Sequence, residues 1–171
     1  MHILFLGDSI TEGFNTAELL PQFSIKNHGI WGTSTEELTD KIAPDWFNVP
    51  FDKAFICIGT NDLTRNHSIP YILDKLSLLI NKVTELNKSA IQIYLISLFP
   101  TRNLDIKPNS GIDLYNSALH AYAPTNNFRY IHLNPFFKDA EGKLRTEFTN
   151  DGLHLTDAAY KHWANLFVQL V

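Results

Sequence analysis

Three short apolar runs, each stopping at a cluster of turn residues, restrict this chain more than any other feature. Residues 2–6 run into Gly7-Asp8-Ser9, residues 54–58 into Gly59-Thr60-Asn61-Asp62, and residues 91–97 into Leu98-Phe99-Pro100. Apolar on both faces, they suit strands of a parallel sheet that is covered on both sides. Residues 23–27 and 128–133 alternate more and are expected nearer the sheet edges, which brings the strand count to five. Between the runs lie helical stripes. Ile69, Ile72, Leu73, Leu76, Leu79, Ile80, Val83 and Leu86 recur at three- and four-residue spacing. Ile112, Tyr115, Leu119 and Tyr122 form a second stripe; Ala159, Trp163, Leu166, Phe167 and Leu170 form a third. Ser34-x-x-Glu37 is a capping-box signature ahead of Leu38 and Ile42. Strands alternating with helices predict a doubly wound α/β fold in three layers, α/β/α.

Size and charge narrow the classes. A length of 171 residues gives one expected domain, 1–171, large enough for a core without staples. A net charge of −4 argues against a nucleic-acid partner or an anionic membrane surface. The single cysteine, Cys57, cannot form an internal disulfide or supply a cysteine zinc cluster, and the scattered histidines have no ligand spacing, so no metal is expected. The N-terminus lacks a basic region and a long apolar run, and no stretch approaches a membrane span, so the chain as written reads as cytoplasmic, without membrane insertion.

In sheets of this kind ligands sit outside the carboxyl ends of the strands. Five of the eight glycines (7, 29, 32, 59 and 152) lie in four segments expected there. These segments hold the parts of nucleophilic acyl transfer: a hydroxyl, a base, a group that orients the base, and donors for an oxyanion. Ser9 follows the first strand, His154 is a candidate base, and Asp151 stands three residues before it. The Ser9 and Gly32 amides and the Asn61 side chain are candidate donors. Each has a plainer alternative. Ser9-x-x-Glu12 also reads as a capping box, Asn61 as a turn residue, and Gly32 as a tight turn. Asp8 reads as a structural turn residue, and Asp62 as a cap for the segment after the third strand. Arg65 and Arg102 are expected in loops facing the crevice, solvated or meeting an anionic leaving group, and His28 sits beside the second segment. Phosphate-loop, dinucleotide and Gly-x-Ser-x-Gly patterns are all missing.

Taken together, the segments resemble the sequence blocks of the SGNH hydrolases, the GDSL esterase/lipase superfamily. Gly7-Asp8-Ser9-Ile10 is similar to the GDSL signature with Ile for Leu, and Asn27-His28-Gly29-Ile30-Trp31-Gly32-Thr33 to the second block. Gly59-Thr60-Asn61-Asp62 matches the third and Asp151-Gly152-Leu153-His154 the last, all in family order. The resemblance implies a flavodoxin-like sheet and a serine esterase without cofactor, acting on a small-molecule ester. It implies Ser9 as nucleophile, His154 as base, Asp151 as its orienter, and the Ser9 amide, Gly32 and Asn61 as oxyanion hole. Trp31 stands where a small residue is common and is expected to narrow the entrance. With Phe14, Phe99 and Arg102 it forms the expected substrate pocket, sized for short acyl groups such as acetyl.

Overall fold

The computed structural model describes residues 1–104 and 109–170. In chain order these form β1 (His2–Gly7), α1 (Ser9–Glu12), α2 (Thr16–Leu19), β2 (Ser24–Gly29), α3 (Thr35–Lys41), β3 (Lys53–Cys57) and α4 (Thr60–Thr64). There follow α5 (Ile69–Asn87), β4 (Gln92–Ile96), α6 (Asn109–Thr125), β5 (Arg129–Ile131), α7 (Asn134–Phe137) and α8 (Asp157–Leu170). Short 3₁₀ turns lie at Pro44–Phe47 and Thr146–Phe148. The five strands are all parallel, in the order β2-β1-β3-β4-β5. That is the flavodoxin-like order, with its direction change between β1 and β3, where a ligand crevice opens.

Burial follows from the strand sequences. Ile3 to Leu6 of β1 are completely buried, as expected of a central strand. Side chains alternate across the sheet. Phe5 and Phe55 meet Phe167 of α8, and Phe5 also meets Trp163. Leu4, Leu6 and Ile56 point the other way, toward the layer in which α3 packs on α5 and α5 on α6. The α5 stripe at Ile72, Leu76, Leu79, Ile80 and Val83 is buried, as its spacing requires. The edge strands are β2 and β5, the two that alternate most. The Leu170 side chain lies outside the described residues.

Two expected pocket residues belong to this core. Phe14 is 1% exposed and stacks on Trp163 at 4.4 Å; Phe99 is 3% exposed and packs on Trp163 and Phe137. Strand-end position suggested a crevice lining, but α8 brings Trp163 beneath both rings, and aromatic burial outweighs any gain from facing water. Among the described residues no helix is long and apolar enough to cross a membrane.

The helix after β1 is only four residues long and cannot hold itself. Side chains from both flanks fix it. Asn27 of β2 donates to the Thr11 and Phe14 carbonyls at 2.6 and 2.9 Å, and the Tyr160 hydroxyl of α8 donates to the Ile10 carbonyl at 2.8 Å. This fit requires Gly29, because a Cβ there would lie 2.1 Å from the Glu12 nitrogen, on backbone that cannot yield. Gly29→Ala is therefore expected to destabilise the fold by about 1–3 kcal/mol. Urea unfolding of the variant checks this, and an unchanged midpoint would contradict the packing.

Candidate active site

The structure brings the first and last sequence segments together. The Ser9 Oγ lies 3.1 Å from His154 Nε2, and His154 Nδ1 lies 2.6 Å from Asp151 Oδ2. Ser9 is free for this because it does not cap its helix. The N-cap is Asp8, whose side chain accepts from the Ile10 amide at 3.0 Å. The capping-box alternative for Ser9 is thus replaced by one residue earlier, leaving the hydroxyl aimed at the imidazole.

The Asp151 carboxylate is well supplied with donors. Oδ1 accepts from the Leu153 and His154 amides at 2.9 and 2.8 Å and from the Thr149 hydroxyl at 3.3 Å, while Oδ2 faces the imidazole. Burial pushes the carboxyl upward, but the hydrogen bonds from the His154 ring and the two amides outweigh it and hold it well below the usual carboxylate range. An ionised carboxylate only accepts, so in the neutral imidazole Nδ1 carries the proton and Nε2 is the acceptor that faces Ser9. A hydroxyl, a bare imidazole nitrogen and an anchored carboxylate in series can move a proton off Ser9 and stabilise the imidazolium that results.

The loop that carries this pair is held at both ends. Thr149 and Leu155 form an isolated antiparallel bridge, Thr149 Oγ1 accepts from the Gly152 amide at 2.9 Å, and the Arg102 amide donates to the Gly152 carbonyl at 2.8 Å. Gly152 is needed there: its φ is +87°, and a Cβ would lie 2.2 Å from the Arg102 carbonyl oxygen. The Arg102 side chain is not in the crevice. Its guanidinium pairs with Asp139 and donates from Nε to the Leu144 carbonyl, so it ties the segment after β4 to residues 139–144. Thr149 carries no sequence signal for this role; only the bridge reveals it.

On the other side of Ser9 lies the second segment. Ile30 to Thr33 form a turn, closed by the Thr33 hydroxyl on the Ile30 carbonyl at 2.8 Å and by the Thr33 amide at 3.4 Å. Gly32, at φ +71°, occupies its third position, a conformation that favours glycine. Trp31, expected to narrow the entrance, stands out to solvent, 71% exposed. Asn61, the second residue of α4, donates one Nδ2 proton to the Thr33 carbonyl at 3.0 Å, and its second N–H has no partner among the described residues. Asp62 is fully buried; its Oδ2 accepts from both the amide and the hydroxyl of Thr35, the first residue of α3, at 2.9 and 3.0 Å, and its Oδ1 lies 3.4 Å from His67 Nδ1 in its own segment. Arg65 reaches the Gly32 carbonyl and Glu37. His28 stacks flat on Trp46 at 4.0 Å and takes no part in the cluster. Among the described residues no three His, Cys, Asp or Glu side chains are grouped to hold a metal ion.

The Asp151 interactions give a pH signature. Its folded-state pKa is depressed, so its stabilisation is complete above the unfolded value of about 3.9 and is lost as pH falls below that. In urea titrations between pH 7 and 2, wild type is expected to lose its stability advantage over Asp151→Asn below about pH 4. A difference independent of pH would contradict the assigned interactions.

The chain is 26% identical over 156 residues to an N-acylneuraminate cytidylyltransferase of Streptococcus agalactiae serotype V, covering 91% of this chain and 35% of that protein. The chain spans 35–40% of the length of the curated relatives it matches. A Streptococcus pneumonia protein provisionally described as a platelet activating factor superposes with a TM-score of 0.91 at 29% identity, over 98% of this chain and 82% of that one. A GDSL-like lipase of Bacteroides thetaiotaomicron shares the fold at 21% identity and a TM-score of 0.83, over 99% and 86% of the two chains. Residues 5–162 match the GDSL-like lipase/acylhydrolase profile from β1 into α8, and the chain belongs to that family.

Proposed function

We propose that this acylhydrolase is a serine esterase that cleaves short-chain carboxylic esters through an acyl-Ser9 intermediate. The observation that carries the reading is the Ser9–His154–Asp151 series, with its imidazole oriented by an ionised carboxylate. Ser9 Oγ attacks the acyl carbon as its proton passes to His154 Nε2. The carbonyl π pair moves onto oxygen, and the oxyanion is held by the Ser9 and Gly32 amides and the free N–H of Asn61. The intermediate collapses, the ester C–O bond breaks, and His154 gives its proton to the departing alcohol. Water then attacks the acyl carbon as His154 takes its proton; the second intermediate collapses, the acyl–Oγ bond breaks, and His154 returns the proton to Ser9 Oγ as the acid leaves. No cofactor enters these steps.

The preference for short acyl groups is supported by where the aromatic residues go. Phe14 and Phe99 are committed to the core, which leaves the exposed Trp31 indole as the apolar surface beside the Gly32 turn. For the alcohol, a sugar ester such as an O-acetyl sugar is the first class to try. The matched relatives are named for N-acylneuraminate, an acylated sugar acid.

Purified wild type is expected to turn over p-nitrophenyl acetate and to gain one fluorophosphonate adduct at Ser9 by intact mass, while Ser9→Ala does neither. A folded wild type that fails at both would leave a binding protein without hydrolytic chemistry. Rates that climb with acyl length beyond eight carbons would replace the short-chain reading with a lysophospholipase or long-chain thioesterase. Asn61→Ala is expected to lower kcat by about 10²–10³. A loss under tenfold would remove Asn61 from the oxyanion hole.

A further inference from the structure

The oxyanion turn holds its shape with help from outside itself. Gly32 sits at positive φ with no atom within 4 Å of where a Cβ would be, so sterics do little to hold it. Glycine is also the residue with the softest backbone. Of the bonds that close the turn, the amide bond from Thr33 to Ile30 is long, at 3.4 Å. A Gly32 N–H that is to meet a developing oxyanion must nevertheless be held in place before the reaction, because a donor that reorients during the step loses most of its value.

The restraint comes from α4 and the residue that caps it. Within five residues, Asn61 donates to the Thr33 carbonyl, Asp62 accepts from the Thr35 amide and hydroxyl, and Arg65 donates from Nη2 to the Gly32 carbonyl at 3.0 Å. The other arm of Arg65, Nη1, pairs with Glu37 Oε2 at 2.9 Å. Glu37 is itself fixed at the third position of α3, where it closes the capping box with Ser34. The Arg65 amide, in turn, donates to the Asn61 and Asp62 carbonyls at 3.1 Å. Arg65 therefore ties three points together, its backbone amide holding the Asn61 turn and its guanidinium the Gly32 carbonyl and the start of α3.

From this geometry we infer that Arg65 is a positioning residue for the oxyanion hole: its guanidinium fork pins the Gly32–Thr33 peptide, and through the Gly32 Cα it limits how far the preceding peptide, which carries the Gly32 N–H, can turn from Asn61. The inference rests on the reading of Gly32 and Asn61 as oxyanion donors. It assigns Arg65 no contact with substrate: one N–H of each terminal nitrogen is engaged, by the Gly32 carbonyl and by Glu37, and the role argued is to hold these two points. The side chain is 41% exposed, and an exposed pair of this kind contributes little to stability. Its effect therefore belongs in the rate. A planar two-armed donor suits the task, and lysine offers only a point charge.

The test uses Arg65→Met, which keeps the apolar stem, and Arg65→Lys. Turnover of p-nitrophenyl acetate is measured per Ser9 titrated with fluorophosphonate, together with the Ki of a small arylboronic acid. The boronate adds to Ser9 as a tetrahedral anion and so reads the oxyanion hole without turnover. Arg65→Met is expected to lose about tenfold in kcat, between no effect and the loss of a whole donor. KM should stay within twofold, boronate Ki should rise in parallel with the kcat loss, and Arg65→Lys should fall between. An unchanged kcat and Ki per titrated site would overturn the inference and leave Arg65 a surface tie. A raised KM at constant kcat would overturn it in favour of direct substrate contact. If Asn61→Ala is also without effect, the oxyanion-hole reading fails; if Asn61→Ala is impaired and Arg65→Met is not, only the role of Arg65 fails.

Discussion

Everything at the carboxyl end of the sheet depends on the close approach of α1 to the strands beneath it. Gly7 ends β1 with the Thr11 hydroxyl and the Cys57 carbonyl crowding the space where a Cβ would stand, and Gly29 ends β2 against the Thr11 and Glu12 backbone. These two contacts let the chain turn sharply out of a fully buried strand and lay four helical residues across its neighbours. Ser9 is the first of those residues, so its hydroxyl is placed by the most buried strand in the molecule. A bulkier residue at either site would lift α1 and move the hydroxyl away from His154. The 3.1 Å contact between Ser9 and His154 spans 145 residues of sequence, and only the sheet brings its two ends together.

The parts that were legible in the sequence are those set by local physics. Double-sided apolar runs gave parallel strands, and three-residue and four-residue spacing gave α5, α6 and α8. The Ser34–Glu37 pair formed the capping box its spacing predicts. Three of the four segments follow strands and are neighbours because the carboxyl ends of parallel strands share one edge; the fourth, Asp151 to His154, follows no strand and reaches Ser9 from the loop between the Thr146–Phe148 turn and α8. What sequence could not resolve was competition among partners. Ser9 and Asp8 both suit an N-cap, and Asp8 takes it because its carboxylate reaches the amide two residues on, at Ile10. Asp62 also looked local, but its carboxylate found the Thr35 amide on another helix.

The errors share one cause. Phe14, Phe99 and Arg102 were placed in the crevice by their positions just past strand ends, yet such positions face either the crevice or the layers beside it. Trp163 decided the two phenylalanines, since an aromatic pair gains both area burial and ring geometry by closing over an indole. Asp139 and the Leu144 carbonyl decided the arginine. None of these partners is near in sequence, and no periodicity announces them.

The site is accordingly built in two halves of unlike construction. The nucleophile and the candidate oxyanion donors sit on strand ends and on α4, whose contacts with residues 32–37 run through Asn61, buried Asp62 and exposed Arg65. The base and its carboxylate sit on a loop that makes its own support: one carboxylate oxygen takes two amides and a hydroxyl, and the other is left for the imidazole. That division has an electrostatic consequence. A carboxylate satisfied by its own loop keeps its charge whether or not the sheet half is in register, so the histidine tautomer is fixed locally. Only the distance from Nε2 to Ser9 is left to the global fold. The chemistry of the base is thus a local property of residues 149–155, whereas the encounter of base with nucleophile is a property of the whole sheet.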